Sequence, residues 1–331
     1  MGKLIFTADD YGACDFIDNG IVQAVRAGKI NTVTAFVTHP DSQQRIADLL
    51  TLREELKTDS GYTFNIGLHF SVTSGFSLQN KASSLTEDTA DGEGKFYFRE
   101  AKDYTFLETT IADLEAELLI QLQTLDAWLA NFLVDHVSNH HNIAYLDMRL
   151  YQSYVNGVST FTNTKYTNKI PIRSPMPWQK SSDLKVWPDG KLILPIEEQG
   201  IELGMWKMLL QLTLNDLKER ETEAQTLSIK YPDYLADTIY GDPYPANVSF
   251  LIGQLSGKDY SSEFMFHLGH PTEAYTTDDE LNTIISNLPI PHGIDPSYFV
   301  NRTRELDTIL NLDMAPLMQA SNVTKAFFTD L

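Results

Sequence analysis

Three things are scarce in this sequence, and each scarcity excludes something. There is one cysteine, Cys14, in 331 residues, so no intrachain disulfide can form and a cysteine-rich zinc site is ruled out. Positive charge is short: 25 Lys and Arg stand against 45 Asp and Glu, for a net charge of −20. A field of that sign repels polyphosphate, which argues against nucleic acid and anionic membranes as partners. Long hydrophobic runs are missing too. No stretch approaches the roughly 18 apolar residues of a membrane-spanning helix, and Met1-Gly2-Lys3 leads into Leu4-Ile5-Phe6 without a signal-peptide pattern. The expectation is a soluble, cytoplasmic protein. No repeat or low-complexity tract is present.

What is there is the composition of a globular protein, 42% hydrophobic and 11% aromatic, enough for a sizeable core. The length suits one α/β barrel as well as it suits two average domains. Short apolar runs recur at 4–6, 33–37, 64–70, 134–137, 170–172, 226–229 and 264–267. Helical patterns lie between them: Ile17, Ile21 and Val25 share one face, and Leu114, Leu118, Leu122, Leu125, Leu129 and Phe132 share another. This alternation predicts an irregular (β/α) barrel of about seven parallel strands with helices outside, although an open doubly wound sheet fits nearly as well. With no composition shift to mark a linker, residues 1–331 read as one domain, carrying loop insertions near 79–100 and 174–225. Such long loops tend to be lids or binding surfaces.

Parallel α/β folds bind ligands at the carboxyl ends of their strands. The first strand ends in Asp9-Asp10-Tyr11-Gly12, the third in His69-Phe70, the fourth in 136–142 (HVSNHHN), and the last in His267-Leu268-Gly269-His270. Six of the eight histidines fall in three of these places, which scattered surface histidines would seldom do. Adjacent carboxylates repel and call for a metal or a shared proton. One Asp with two His suits zinc or a similar divalent ion and leaves positions open for water and substrate. Strand parity puts His136, Ser138 and His140 on one face, favouring His140 over His141 as the ligand there. Each piece has a plainer reading: a capped turn at Asp9-Asp10, a core histidine at 69, a turn at His267. Their conjunction at successive strand ends favours the metal site.

These segments resemble the YdjC-like carbohydrate deacetylases. The resemblance rests on TADDYG at 7–12, IGLHFSVTSG at 66–75, SSLTE at 83–87 with GKF at 94–96, HVSNHHN at 136–142, Arg173 in IPIRSP, Pro232-Asp233, FMFHLG at 264–269, and Arg302 through Leu306. It implies removal of N-acetyl groups from an amino sugar or short, optionally phosphorylated, oligosaccharide, with one divalent metal, zinc or magnesium. It further implies Asp10, His69 and His140 as metal ligands, Asp9 as general base, His267 as acid, and Arg173 beside the pocket. There Arg173 would either bind a phosphorylated sugar or acidic product or form a structural ion pair. Phe70, Tyr11 and the Trp178/Trp187 loop are then candidates to stack on sugar rings. Three departures stand out: Ser138 where the family usually has Asp, Asn142 for the last His of its block, and Leu268 for Pro. The missing carboxylate at 138 would leave a ligand histidine without an orienting partner. A phosphoesterase, or a sugar-binding homologue without catalysis, are the competing readings. The partner expected is a small carbohydrate, and a homodimer is compatible with the sequence.

Overall fold

The computed structural model describes residues 1–79, 85–86, 94, 96, 111–145, 147–166, 169–175, 185–186, 192–193, 214–236, 245–287 and 297–331. Within them the chain runs β1 (Gly2–Tyr11), α1 (Asp15–Arg26), β2 (Thr32–Ala35), α2 (Ser42–Ser60), β3 (Asn65–Phe70), α3 (Ile111–Trp128), β4 (Val137–Asn139) and α4 (Met148–Lys165). A two-residue antiparallel pair, β5 (Lys185–Val186) and β6 (Leu192–Ile193), follows. Then come α5 (Leu214–Thr226), β7 (Tyr234–Ala236), α6 (Pro245–Gln254), β8 (Ser261–Phe266), α7 (Asp278–Ser286), α8 (Ser297–Asn311), α9 (Met314–Ser321) and β9 (Val323–Lys325).

The main sheet is parallel throughout, in the order β4-β3-β2-β1-β8-β7, with β9 laid against the start of β1. It curls into a half-barrel wrapped by helices. Between its two edges, the 171–173 segment exchanges backbone hydrogen bonds with Val137, and Ile172 N–H donates to Lys230 O just ahead of β7. The barrel-like architecture expected from strand–helix alternation is therefore present.

Side-chain alternation on β1 explains the layering. Leu4, Phe6 and Ala8 join the large apolar cluster, where Phe6 meets Phe264 and Phe266 of β8. Ile5 belongs to a separate small cluster with Ala326 and Phe328. Thr7 and Asp9 continue its face. The helical stripes behave as the 3.6-residue period requires. Leu114, Leu118, Leu122, Leu125 and Leu129 are fully buried, and Phe132 is half-buried beneath the guanidinium of Arg53.

Two strand expectations shift. Residues 226–229 close α5 and turn, and the strand that follows is β7 at 234–236. The apolar residues there cap the helix face: Ala224 and Ile229 are buried, and Ile229 N–H bonds Ala224 O. The run at 134–137 mostly precedes β4. Most of the insertion near 79–100 and of that at 174–225, with Trp178 and Trp187, lies outside the described residues. Among the described residues, no helix is long and apolar enough to cross a membrane.

Candidate metal centre and active site

The end of β1 carries the first two acidic groups, and its backbone decides where they point. A regular strand would send Asp9 and Asp10 to opposite faces. Here the register with β2 slips between Ala8 and Tyr11, and Asp10 takes a left-handed conformation with φ 74°, as bulges do. Both carboxylates are buried. Asp18 of α1 steadies the turn by accepting the Gly12 N–H at 2.7 Å, and Arg45 donates to Asp18 at 2.7 Å.

Asp9 is fully engaged. Arg173 donates to both of its oxygens, at 2.6 and 2.7 Å, and Thr34 Oγ1 donates to Oδ1 at 2.9 Å. The same guanidinium donates through Nε and Nη2 to Glu263 of β8, at 3.0 and 2.7 Å. Burial raises the Asp9 pKa, but the charge and hydrogen bonds of Arg173, together with His69 and His267, more than offset it and hold the carboxyl far below the usual carboxylate range. Such a forked, buried pair is among the stronger charge-assisted contacts.

Asp10 is engaged on one side only. Its Oδ2 meets Arg302 of α8 in a very short contact. Its Oδ1 lies 3.0 Å from His69 Nε2 and 3.2 Å from His140 Nδ1, and those two nitrogens are 3.2 Å apart. Burial opposes ionisation of Asp10, yet Arg302 and the two imidazoles keep it well below its ordinary value. Burial pushes His140 down.

The proton inventory of this triangle is informative. Ser138 Oγ is 2.7 Å from His69 Nδ1 and 3.3 Å from Leu68 O. Where the hydroxyl proton goes to Leu68 O, Nδ1 carries the ring proton and Nε2 a lone pair, the tautomer a metal ligand needs. His69 Nε2 faces Asp10 Oδ1, which accepts no aligned hydrogen bond among the described residues. In that tautomer the two acceptors, 3.0 Å apart, would repel unless a cation lay between them. Asp10, His69 and His140 are also the only group of three potential ligands found close enough to hold a metal among the described residues. Donors about 2.1 Å from a tetrahedral ion sit about 3.4 Å from one another, a few tenths of an ångström beyond the observed 3.0–3.2 Å. The donor set fits a divalent metal.

His267, just beyond β8, is half-buried, and its backbone N–H donates to Glu305 Oε1 of α8 at 3.0 Å. Burial and then the Arg302 charge lower its pKa to about 4. The loop it starts packs tightly on α1: a Cβ on Gly20 would come within 2.5 Å of Gly269.

The fold thus gathers Asp9, Asp10, His69, His140, His267 and Arg173 at one end of the half-barrel. Two expectations are corrected. Phe70 alternates to the face opposite His69, is fully buried, and stacks on Tyr154 of α4. Tyr11 is 3% exposed and ties its hydroxyl to Arg45 O. Neither ring offers a face to a sugar. Ser138, where the resemblance led to the expectation of a carboxylate, contacts His69 Nδ1 through its hydroxyl at 2.7 Å, without a carboxylate's charge. His141 stacks on His140 at 3.8 Å, in a left-handed turn.

Several site residues escaped the sequence reading. Phe36, at the end of β2, packs against His69 at 4.9 Å and His140 at 5.0 Å. His39 leans on Phe36 and contacts Ser74 Oγ at 3.0 Å, and burial lowers its pKa to about 4. Glu263, Arg302 and Glu305 join from strands and helices far along the chain. The only signal for the last two was their motif block, which gives no hint of what they touch.

The family model described as YdjC-like protein matches residues 3–320. The chain belongs to the YdjC-like family. Among relatives, a carbohydrate deacetylase of Danio rerio is 31% identical over 173 residues, covering 51% of this chain and 50% of that protein. Carbohydrate deacetylase 1 of Listeria innocua is 29% identical over 146 residues, covering 43% and 52%. The matches thus span about half the length of these relatives. A crystallised Enterococcus faecalis V583 protein, with a suggested role in cellobiose-phosphate cleavage, superposes with a TM-score of 0.62 at 16% identity, covering 99% of this chain and 98% of that one. That likeness concerns the fold of this YdjC-like chain and nothing more.

Proposed function

We propose that this YdjC-like chain is a metal-dependent hydrolase that removes N-acetyl groups from an amino sugar or short oligosaccharide. The observation that carries the metal part is the convergence of Asp10 Oδ1, His69 Nε2 and His140 Nδ1, with His69 held through Nδ1 by Ser138. Two imidazoles and one carboxylate suit zinc or a similar transition ion better than magnesium, which prefers oxygen donors. The acetyl-sugar part rests on family membership and on the named relatives.

A divalent ion held there would polarise the acetamide carbonyl and lower the pKa of a water toward about 7 in favourable zinc sites. The chain's own groups supply the proton transfers. In the first reading Asp9 takes the proton of the attacking water and His267 protonates the departing nitrogen. A second reading is favoured by the Arg173 fork, which occupies both oxygens of Asp9 and weakens it as a base. In that reading His267, neutral because its pKa is lowered to about 4, accepts the water proton and passes it to nitrogen. Arg173 and Asp9 then serve to hold the β1 end in place. With its donors committed to Asp9 and Glu263, Arg173 is a positioning residue and not a binder of substrate phosphate.

The test is metal analysis of the purified protein, followed by acetate release from N-acetylated sugars. About one equivalent of metal with acetate release supports the proposal. Phosphate release from sugar phosphates, with none of acetate, would move the phosphoesterase reading to the front; sugar binding without turnover would do the same for the inactive homologue. The D9N variant separates the two proton routes: it abolishes turnover under the first and leaves most of it under the second.

A further inference from the structure

Arg302 is fully buried, on α8, and contacts the Asp10 carboxylate through Oδ2 and the Tyr298 hydroxyl, one turn earlier on the same helix. Its guanidinium also lies over the Tyr298 ring, 4.4 Å from the centroid. Taking a guanidinium out of water is costly unless it is well paired, so a buried arginine beside a ligand carboxylate has to be accounted for. The neighbouring pair shows the alternative that was available. Arg173 grips Asp9 by both oxygens, whereas the Arg302 contact falls on one oxygen of Asp10 and leaves the other facing His69 and His140.

We infer that Arg302 is a positioning residue that restricts Asp10 to donating a single oxygen to the metal, keeping the remaining coordination positions open for water and substrate. A free carboxylate readily turns both oxygens to a divalent ion. A catalytic site needs the opposite, three protein donors and vacancies. Arg302 provides it by occupying Oδ2 from the side away from the histidines, and Tyr298 braces the guanidinium from below. The inference rests on the metal reading and adds to it the number of oxygens that Asp10 supplies.

The experiment loads the purified full chain with Co²⁺, whose visible bands are intense for four-coordinate sites and weak for five or six donors. Wild-type protein should bind one equivalent with intense bands. R302M, stripped of the donor, should still bind one equivalent but with bands at least twofold weaker and shifted, as Oδ2 joins the ion. R302K, which keeps a cation able to reach Oδ2, should restore bands of wild-type intensity. Should R302M fail to fold by circular dichroism, R302Q takes its place, being polar yet too short to reach Oδ2. One equivalent bound by wild type and by the folded Met or Gln variant, with superimposable bands, overturns the inference and leaves the metal site standing. A wild-type protein that takes up no cobalt overturns the metal reading and this inference together.

Discussion

Two histidines on neighbouring strands, facing the same interior, have opposite fates. His69 sits near the carboxyl end of β3 among Asp10, His140 and Ser138. His136 enters β4 nearer the other end, fully buried, with its ring parallel to that of Phe328 at 3.9 Å and Nδ1 3.3 Å from Asp135. Gly67 makes room for it, since a Cβ there would fall 2.3 Å from the imidazole. Residue type and strand face are the same; the layer differs. At one end the layer is carboxylates and arginines, and at the other it is the floor made by Ile5, Ala326 and Phe328. What a histidine does in this half-barrel is set by its depth.

The comparison can be broken most forcefully at His69. His69→Ala should reduce bound metal from about one equivalent to none, read by elemental analysis, while Gly67→Ala should leave stoichiometry intact in whatever fraction folds. Metal retained by His69→Ala would erase the distinction between the two layers. Next in size is Phe328→Ala, which opens a cavity under His136 and should cost about 3–5 kcal/mol of stability in urea denaturation with metal content unchanged. A stability loss well under 1 kcal/mol would show that the floor is not a packed layer.

Ser138→Ala sharpens the polar side. Loss of the hydroxyl 2.7 Å from His69 Nδ1 frees the ring's tautomer and should weaken metal affinity by about tenfold or more, measured by competition with a chelator. Unchanged affinity would mean that the ring is held by packing on Phe36. The last effect is a matter of pH. Burial lowers His39 and His267 to about 4 from 6.5, so between those values the unfolded chain binds more protons than the folded one. Their contribution is complete above pH 6.5 and is lost as pH falls toward 4. The Tm of metal-free protein should drop through that window, and His39→Gln should flatten the drop. A Tm constant from pH 7 to 4 would contradict the burial of both rings.

Much of this was legible in the sequence because the signals were local. The (β/α) rhythm followed from short apolar runs and the α3 leucine stripe, and strand parity, with the family resemblance, favoured His140 while leaving His141 as a runner-up. The Asp9-Asp10 pair, His69 and His267 stood at strand ends where ligands bind. The illegible parts were those that depend on partners distant in the chain. Nothing near Arg173 announces Glu263, and nothing near Asp10 announces Arg302. Phe70 was misjudged because being adjacent to a site residue in a strand means facing away from it, a parity argument applied to the 136–142 segment but not here. Ser138 was taken as a loss because a missing carboxylate is visible in sequence, whereas a hydroxyl 2.7 Å from the imidazole is not.

The contact between Asp10 and Arg302 joins residues 292 positions apart, and that between Asp9 and Arg173 spans 164. Pairings of such long range can form only after the chain between them has closed its loop, so the two aspartates gain their counter-charges only when the wrapping of the half-barrel is nearly complete. Until then they are two like charges side by side with nothing to offset them. The site is therefore a reporter of completeness. A substitution that loosens α8 or the 171–173 segment, far from either aspartate in sequence, will register first as a defect at the end of β1, and a screen for lost activity in this protein will recover folding lesions alongside chemical ones.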